Sequence, residues 1–218
     1  MRTSKFSCNL FKDDIEGLSY FAGFVYADGH VNKERSRVQF LSSDNQIIED
    51  LSRRMDYSRP MTVQESNLGY KTIYSNILFS DNALFFKNLG FFSDKDDWSL
   101  EDFAFEVDVY HFIRGVLDGD GHISTYKSSK GETLLNGLYI IFRRKMAESV
   151  LRAVGVGRIQ NAKKPDRVKD IVYLTFGGRV GYKMSNLIWE KSSIHLQRKY
   201  NQYLAYRDHG IKVISSIK

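Results

Sequence analysis

An α+β fold built from two pseudo-symmetric αββαββα repeats is predicted by three observations. The stretch "FAGFVYADGHV" from Phe21 lies over "IRGVLDGDGHI" from Ile113 at an offset of 92 residues, matching Gly23 to Gly115, Asp28 to Asp120, Gly29 to Gly121 and His30 to His122. The same order of elements can be read after each copy. The strand segments alternate apolar and polar residues, as sheets with one dry face do. The expected architecture packs the two motif helices at a central interface and leaves the antiparallel sheets as a saddle, with repeats over residues 1–108 and 109–218.

Each element has its own signal. The motif segments are apolar helices stopped by glycine. "HVNK" and "RVQFLS" read as a strand pair, with Val38 and Phe40 on one face and Arg37, Gln39 and Leu41 on the other. "SDNQIIEDLSRRM" opens at a capping Asp44 and carries Ile47, Ile48 and Leu51 at helical spacing. The strands "MTVQES" and "KTIYSNILFS" and the helix "NALFFKNLGF" complete the first repeat. The second repeats the plan as "HISTYK", "LLNGLYIIFRR", the helix "KMAESVLRAVGV" stopped by Gly155, "RIQNAK", "DIVYLTF" and "VGYKMSNLIWEK"; a last helix is expected in "IHLQRKYNQYLAYRDHG", residues 194–210. The acidic "SDKDDWSLEDFAFEVD" marks the boundary, a solvated connector lying away from any polyanion.

Composition narrows the function. With 218 residues, 42% hydrophobic, the chain can bury a substantial core. It has no apolar run of membrane-spanning length and no signal-like N-terminus, and the single Cys8 excludes an internal disulfide and a cysteine zinc cluster. A cytoplasmic or nucleoid-associated, non-secreted protein is expected. Charge is uneven: Met1 to Asp108 holds 12 Lys and Arg against 18 Asp and Glu, Val109 to Lys218 holds 20 against 8. The basic half suits a polyanion, whose condensed counterions lysine and arginine displace. On the polar strand faces Arg37, Gln39, Lys71, Ser75, Tyr139, Arg143 and Lys163 are the candidates to meet phosphates or base edges.

The acids at the helix ends are the sharper signal. A carboxylate at a helix C-terminus faces the negative end of the backbone dipole and needs a compensating cation. Small residues Ala22, Gly23 and Gly115 would let the two helices approach closely, bringing Asp28 and Asp120 together. Like charges so placed repel, and a divalent cation relieves them; magnesium commonly takes only one or two carboxylates, leaving its other positions to water and phosphate oxygens. Such a site beneath a basic surface points to phosphodiester hydrolysis. An Asp-Gly pair alone is ordinary turn chemistry, so the weight rests on there being two.

At these residues the chain resembles the LAGLIDADG family of homing endonucleases in its single-chain, two-motif form: "FAGFVYADG" and "IRGVLDGDG" match the nine-residue signature, and the element order agrees over essentially the whole chain. The resemblance implies helices paired about a pseudo-twofold axis, sheets lying along the DNA major groove, and a staggered double-strand cut across the minor groove. It makes Asp28 and Asp120 catalytic metal ligands, helped by the carbonyls of Ala27 and Gly119. The implied cofactor is Mg²⁺, with Mn²⁺ or Ca²⁺ able to substitute in binding. The implied partner is double-stranded DNA with a long asymmetric target, bound by a monomer. A lysine near each half of the centre is also implied: Lys95 and Lys199 occupy the corresponding places, to stabilise transition-state charge or order water. Gln46 or Ser42, and Arg143 or Arg144, would add a polar shell. Tyr26 departs from the signature's first acid, which Asp118 retains, and that position is expected to be structural. His30 and His122 replace small residues, as backbone-bonding strand residues or as contacts to phosphate or metal-bound water.

Beginning at Met1 and ending "ISSIK", the chain lacks terminal splicing residues, so a free-standing or intron-encoded enzyme is expected rather than an intein. The competing readings are a cleavage-inactive DNA-binding regulator and an intron RNA maturase of the same fold, since RNA also offers phosphates and shaped grooves.

Overall fold

The computed structural model describes residues 10–32, 37–65, 72–79, 81–91, 94–162 and 170–215. The first repeat runs α1 (Ile15–Asp28), β1 (Gly29–Asn32), β2 (Arg37–Ser42), α2 (Asn45–Arg54), β3 (Thr62–Glu65), β4 (Thr72–Phe79) and α3 (Asp81–Asn88). The second runs α4 (Val109–Asp120), β5 (Gly121–Lys127), β6 (Thr133–Arg143), α5 (Arg144–Val154), β7 (Arg158–Asn161), β8 (Ile171–Gly177) and α6 (Gly178–Trp189), followed by α7 (Gln197–Ser215). Both sheets are antiparallel and share one order, β1-β2-β4-β3 and β5-β6-β8-β7. The αββαββα expectation holds for each repeat. Among the described residues no helix is long and apolar enough to cross a membrane.

Local chemistry sets the ends of the helices. Asp14 caps α1 by accepting from Gly17 N at 2.8 Å, and Asp108 caps α4 by accepting from Tyr110 N and His111 N. Gly155, at φ 69°, ends α5 in the left-handed conformation that its missing Cβ permits. The last helix starts later than the sequence suggests, at Gln197. Its expected first turn is diverted: the carbonyl of Ile194 accepts from Arg114, and the Leu196 N–H donates to Asp118. Asp44 holds the N-cap position of α2 without bonding its backbone, because its carboxylate takes Arg198 instead.

The α1 and α4 helices pack backbone to backbone. A Cβ on Gly23 would lie 2.0 Å from the Phe112 carbonyl oxygen, and one on Gly115 2.1 Å from that of Tyr20, so only glycine fits at either point. Around this axis the apolar strand faces meet the helices: Val38 and Phe40 of β2 and Leu138, Ile140 and Phe142 of β6 are buried. Aromatic rings extend the core on the first side, Phe21 packing on Phe86 and Phe91, and Phe91 on Trp98 and Phe103.

The acidic connector is not simply solvated. Asp96 pairs with Arg143, Asp102 with Lys145 and Glu101 with Arg152, so acids of the first half lie on the basic start and outer face of α5 in the second. Positive residues at a helix N-terminus oppose its dipole, and the connector supplies the missing negative charge.

Candidate active site

Register fixes which side chains share the open face of each sheet. In the first sheet His30 pairs with Gln39, Gln39 with Ile77, and Leu41 with Ser75; in the second His122 pairs with Tyr139, Tyr139 with Thr175, and Arg143 with Ile171. Arg37 and both histidines are exposed there, and Gln39, Tyr139 and Arg143 are half-buried. Ser75 departs from the expectation of an accessible contact. It sits on this face but is only 3% exposed, its short side chain flanked by the longer Leu41 on β2 and Thr62 on β3. Lys71 and Lys163, like Cys8, lie outside the described residues.

The two open faces meet at the helix ends. A cavity of about 380 Å³ is lined by Ala27, Gly29 and His30 of the first repeat, by Ile141, Arg143 and Ile171 of the second, and by Asp94, Lys95, Asp96 and Asp120. Asp28 stands on the other strand-helix junction beside Gly119, where an added Cβ would come 3.1 Å from its Oδ2. Burial first, then the Asp120 carboxylate, pushes the Asp28 pKa up to about 6, against the opposing pull of Lys199 and Lys95. Asp28 therefore feels the Asp120 charge.

Two lysines attend these ends. Lys95 Nζ donates to the carbonyls of Gly29, at 2.5 Å, and Ala27, at 3.3 Å. Lys199, 4% exposed, donates to Leu117, to Asp118 at 2.9 Å and to Gly121 at 2.9 Å, and burial draws its pKa down to about 8. The cation that a helix ending in carboxylates requires is thus supplied in part by the chain, at both helices. The Ala27 carbonyl, expected as a metal ligand, is engaged by Lys95. The three N–H donors of Lys199 are matched by three carbonyls, so it acts on the site through its charge.

Among the described residues no three His, Cys, Asp or Glu side chains gather as a metal-binding group. What remains for a cation is the Asp28 and Asp120 pair with the Gly119 carbonyl. That set suits a hard divalent ion holding several waters, and such an ion would offset the Asp120 charge that, after burial, raises the Asp28 pKa.

Of the remaining candidates, Ser42 is buried and its Oγ accepts from Asp44 N, Gln46 is exposed on α2, and Arg144 pairs with Asp170 and Asn161. Asp118 is fully buried, accepts from Tyr20 Oη and Leu196 N at 2.8 Å each, and is raised to about 6 mainly by burial. It holds structure together, as expected. Sequence reasoning did not find Arg114, fully buried, whose guanidinium bonds the Ile188 and Ile194 carbonyls, Glu16 and His111. An arginine inside an otherwise apolar motif helix was the available signal.

No protein-family model matches the sequence, and no curated protein does. Solved structures do. The LAGLIDADG homing endonuclease I-SmaMI bound to cleaved DNA matches at TM-score 0.61 and 15% identity, over 91% of this chain and 90% of that one. The LAGLIDADG homing endonuclease I-LtrWI bound to target DNA matches at 0.59 and 14%, over 92% of each. I-SmaMI bound to uncleaved DNA in the presence of calcium ions matches at 0.58 and 14%, over 91% and 92%. At such identities the likeness is one of fold: the chain has the LAGLIDADG fold in its single-chain, two-motif form.

Proposed function

We propose that this chain is a LAGLIDADG homing endonuclease that hydrolyses both strands of DNA with a divalent metal. The observation that carries the reading is the pair of motif acids at the ends of the two packed helices, Asp28 beside Gly119 and Asp120 next to that glycine in the chain, with the Asp120 charge felt at Asp28. A fold kept only for binding gains nothing from repulsion there. The matching structures are DNA-bound endonucleases, one with calcium, which supports DNA as the partner and a divalent ion as the cofactor.

In this reading Asp28 and Asp120, with the Gly119 carbonyl, hold the cation, taken as Mg²⁺. When bound, such an ion lowers the pKa of a water and stabilises the leaving oxygen. The chain's own residues do the rest. Lys95 and Lys199 place positive charge beside the scissile phosphates, offsetting charge that develops in the transition state. Arg37, Gln39 and Tyr139 contact the duplex from the open faces, while Arg143, a contact expected from the sequence, is held by Asp96 at their edge. The protein acts as a monomer, each repeat reading half of a long asymmetric target, and makes a staggered cut across the minor groove.

The test is a plasmid library cleaved in Mg²⁺. We expect linearised product from the wild type, a loss of about 10³-fold or more in Asp120→Asn and in Asp28→Asn, and retained DNA binding in both variants. Metal-independent binding with no cut product would identify a regulator instead, and selective binding of folded intron RNA a maturase.

A further inference from the structure

Two ion pairs cross the repeat junction at equivalent places with their charges exchanged. The N-cap residue of α2 is Asp44, and its carboxylate accepts from Arg198 Nε at 3.1 Å; the N-cap residue of α5 is Arg143, and its Nε bonds Asp96. Neither side chain caps its own helix. Their partners, Arg198 and Asp96, are the chain neighbours of Lys199 and Lys95. Each lysine segment is therefore tied to the repeat it does not belong to.

The ties are unequal. Lys199 is buried in the first turn of a 19-residue helix, behind a loop pinned by Arg114 and Asp118, and its tie to Asp44 lies in solvent. Solvated pairs of this kind contribute little. Lys95 opens a three-residue 3₁₀ turn, Lys95–Asp97. The post to which that turn is tied is rigid: Arg143 is largely buried, and its N–H donates to Tyr26 Oη at 2.8 Å. Asp96 and Arg143 also line the same cavity as Lys95 and Asp120.

We propose that Asp96 is a positioning residue: by holding Arg143 across the junction it fixes the Lys95 turn against the end of α1, so that one strand-cutting centre depends on a cross-repeat ion pair and the other does not. The strand-cutting part rests on the function proposed above.

Asp96→Asn keeps the shape and deletes the charge, and Asp96→Glu keeps the charge. In the DNA-free protein, acylation of Lys95 by a water-soluble acetyl succinimide ester, followed by peptide mass spectrometry, should quicken about threefold or more in Asp96→Asn and little in Asp96→Glu, since a released amine becomes reachable. On a target recovered from the plasmid library with wild-type protein, Asp96→Asn should slow one strand about tenfold, as a small misplacement of a catalytic group does. The other strand should keep its rate, so nicked circles accumulate, and Asp96→Glu should restore balanced cutting. Unchanged Lys95 acylation, or equal slowing of both strands, would overturn the proposal. If the wild type cuts nothing, the endonuclease reading fails, and acylation alone still decides whether Asp96 holds the turn.

Discussion

Lys95 and Lys199 both donate to the carbonyl of the glycine that closes a motif, Gly29 and Gly121, although the glycines stand 92 positions apart and the lysines 104. The two repeats reach one arrangement by different physics. In the second, charge is buried to build it: Arg114 gathers Glu16 and the Ile188 and Ile194 carbonyls, and Asp118 takes the Tyr20 hydroxyl and the Leu196 N–H. In the first, the positions 92 earlier are Ala22 and Tyr26, and aromatic packing replaces the network: Trp98 lies against Tyr26 and Phe91, and Phe112 stands where the partner helix has Tyr20. The pair Tyr20 and Asp118 on one side thus answers Phe112 and Tyr26 on the other, a bonded polar couple exchanged for ring contact at 6.1 Å. Equivalent placement does not require equivalent chemistry; what is shared is the helix end that both must satisfy.

The largest way to separate the repeats is to remove the buried charge. Arg114→Leu leaves the Ile188 and Ile194 carbonyls without their donor in a dry interior and takes the cation from Glu16, which is partly exposed and still bonded by Ser193, and we expect a loss of about 2–5 kcal/mol of stability in urea denaturation at neutral pH. Burial pushes the Arg114 pKa down and the Glu16 carboxylate opposes that shift. A loss below about 1 kcal/mol, the range of an ordinary hydrogen bond, would show that the network merely fills space.

How far the sequence reveals this comparison follows from the range of each interaction. The motif helices, their glycine stops, the strand faces of β2 and the order of elements are written in neighbouring residues and then written again 92 positions later, so they could be read. Lys95 and Lys199 came only with the family resemblance, which implies a lysine in the corresponding place of each half. The Arg114 network, the Asp96 tie to Arg143 and the burial of Ser75 join residues from distant segments, Arg114 to Glu16 across 98 positions. No local pattern encodes such a partner. The connector shows the same limit: its acids read as solvated because their bases lie in α5.

A smaller difference should appear between the two motif acids. With Asp28 raised to about 6 from an ordinary 3.8, the folded chain keeps a proton that the unfolded chain has released between those values. Stability therefore falls as pH rises across that window and stays lower above it. In EDTA at pH 7.5, Asp28→Asn should raise Tm by about 2–4 °C, the shift that roughly 1 kcal/mol gives in a chain this size. The gain should vanish toward pH 4, where the native acid is already neutral. Asp120 is exposed, so Asp120→Asn removes the repulsion without removing a burial penalty and should gain less. Equal gains at the two positions would mean that repulsion, not burial, governs Asp28.

The smallest expected effect concerns DNA, and it tests how much of the charge asymmetry survives folding. Counting by halves assigns −6 to the first and +12 to the second. Yet Asp96, Glu101 and Asp102, counted in the first half, sit on Arg143, Arg152 and Lys145 of the second. Each such pair lowers the field the second repeat presents and unburdens the first of an acid. On the endonuclease reading, footprint protection in a KCl titration should still be lost first over the half-site contacted by the first repeat, but the two log–log salt slopes should differ by only about one or two released counterions. A gap of about six or more would mean that DNA pulls the connector off α5, freeing those bases for phosphate; identical slopes would mean that folding has evened the halves completely. The Asp102→Asn variant discriminates further, because removing the acid that neutralises Lys145 should steepen the second half-site's slope alone.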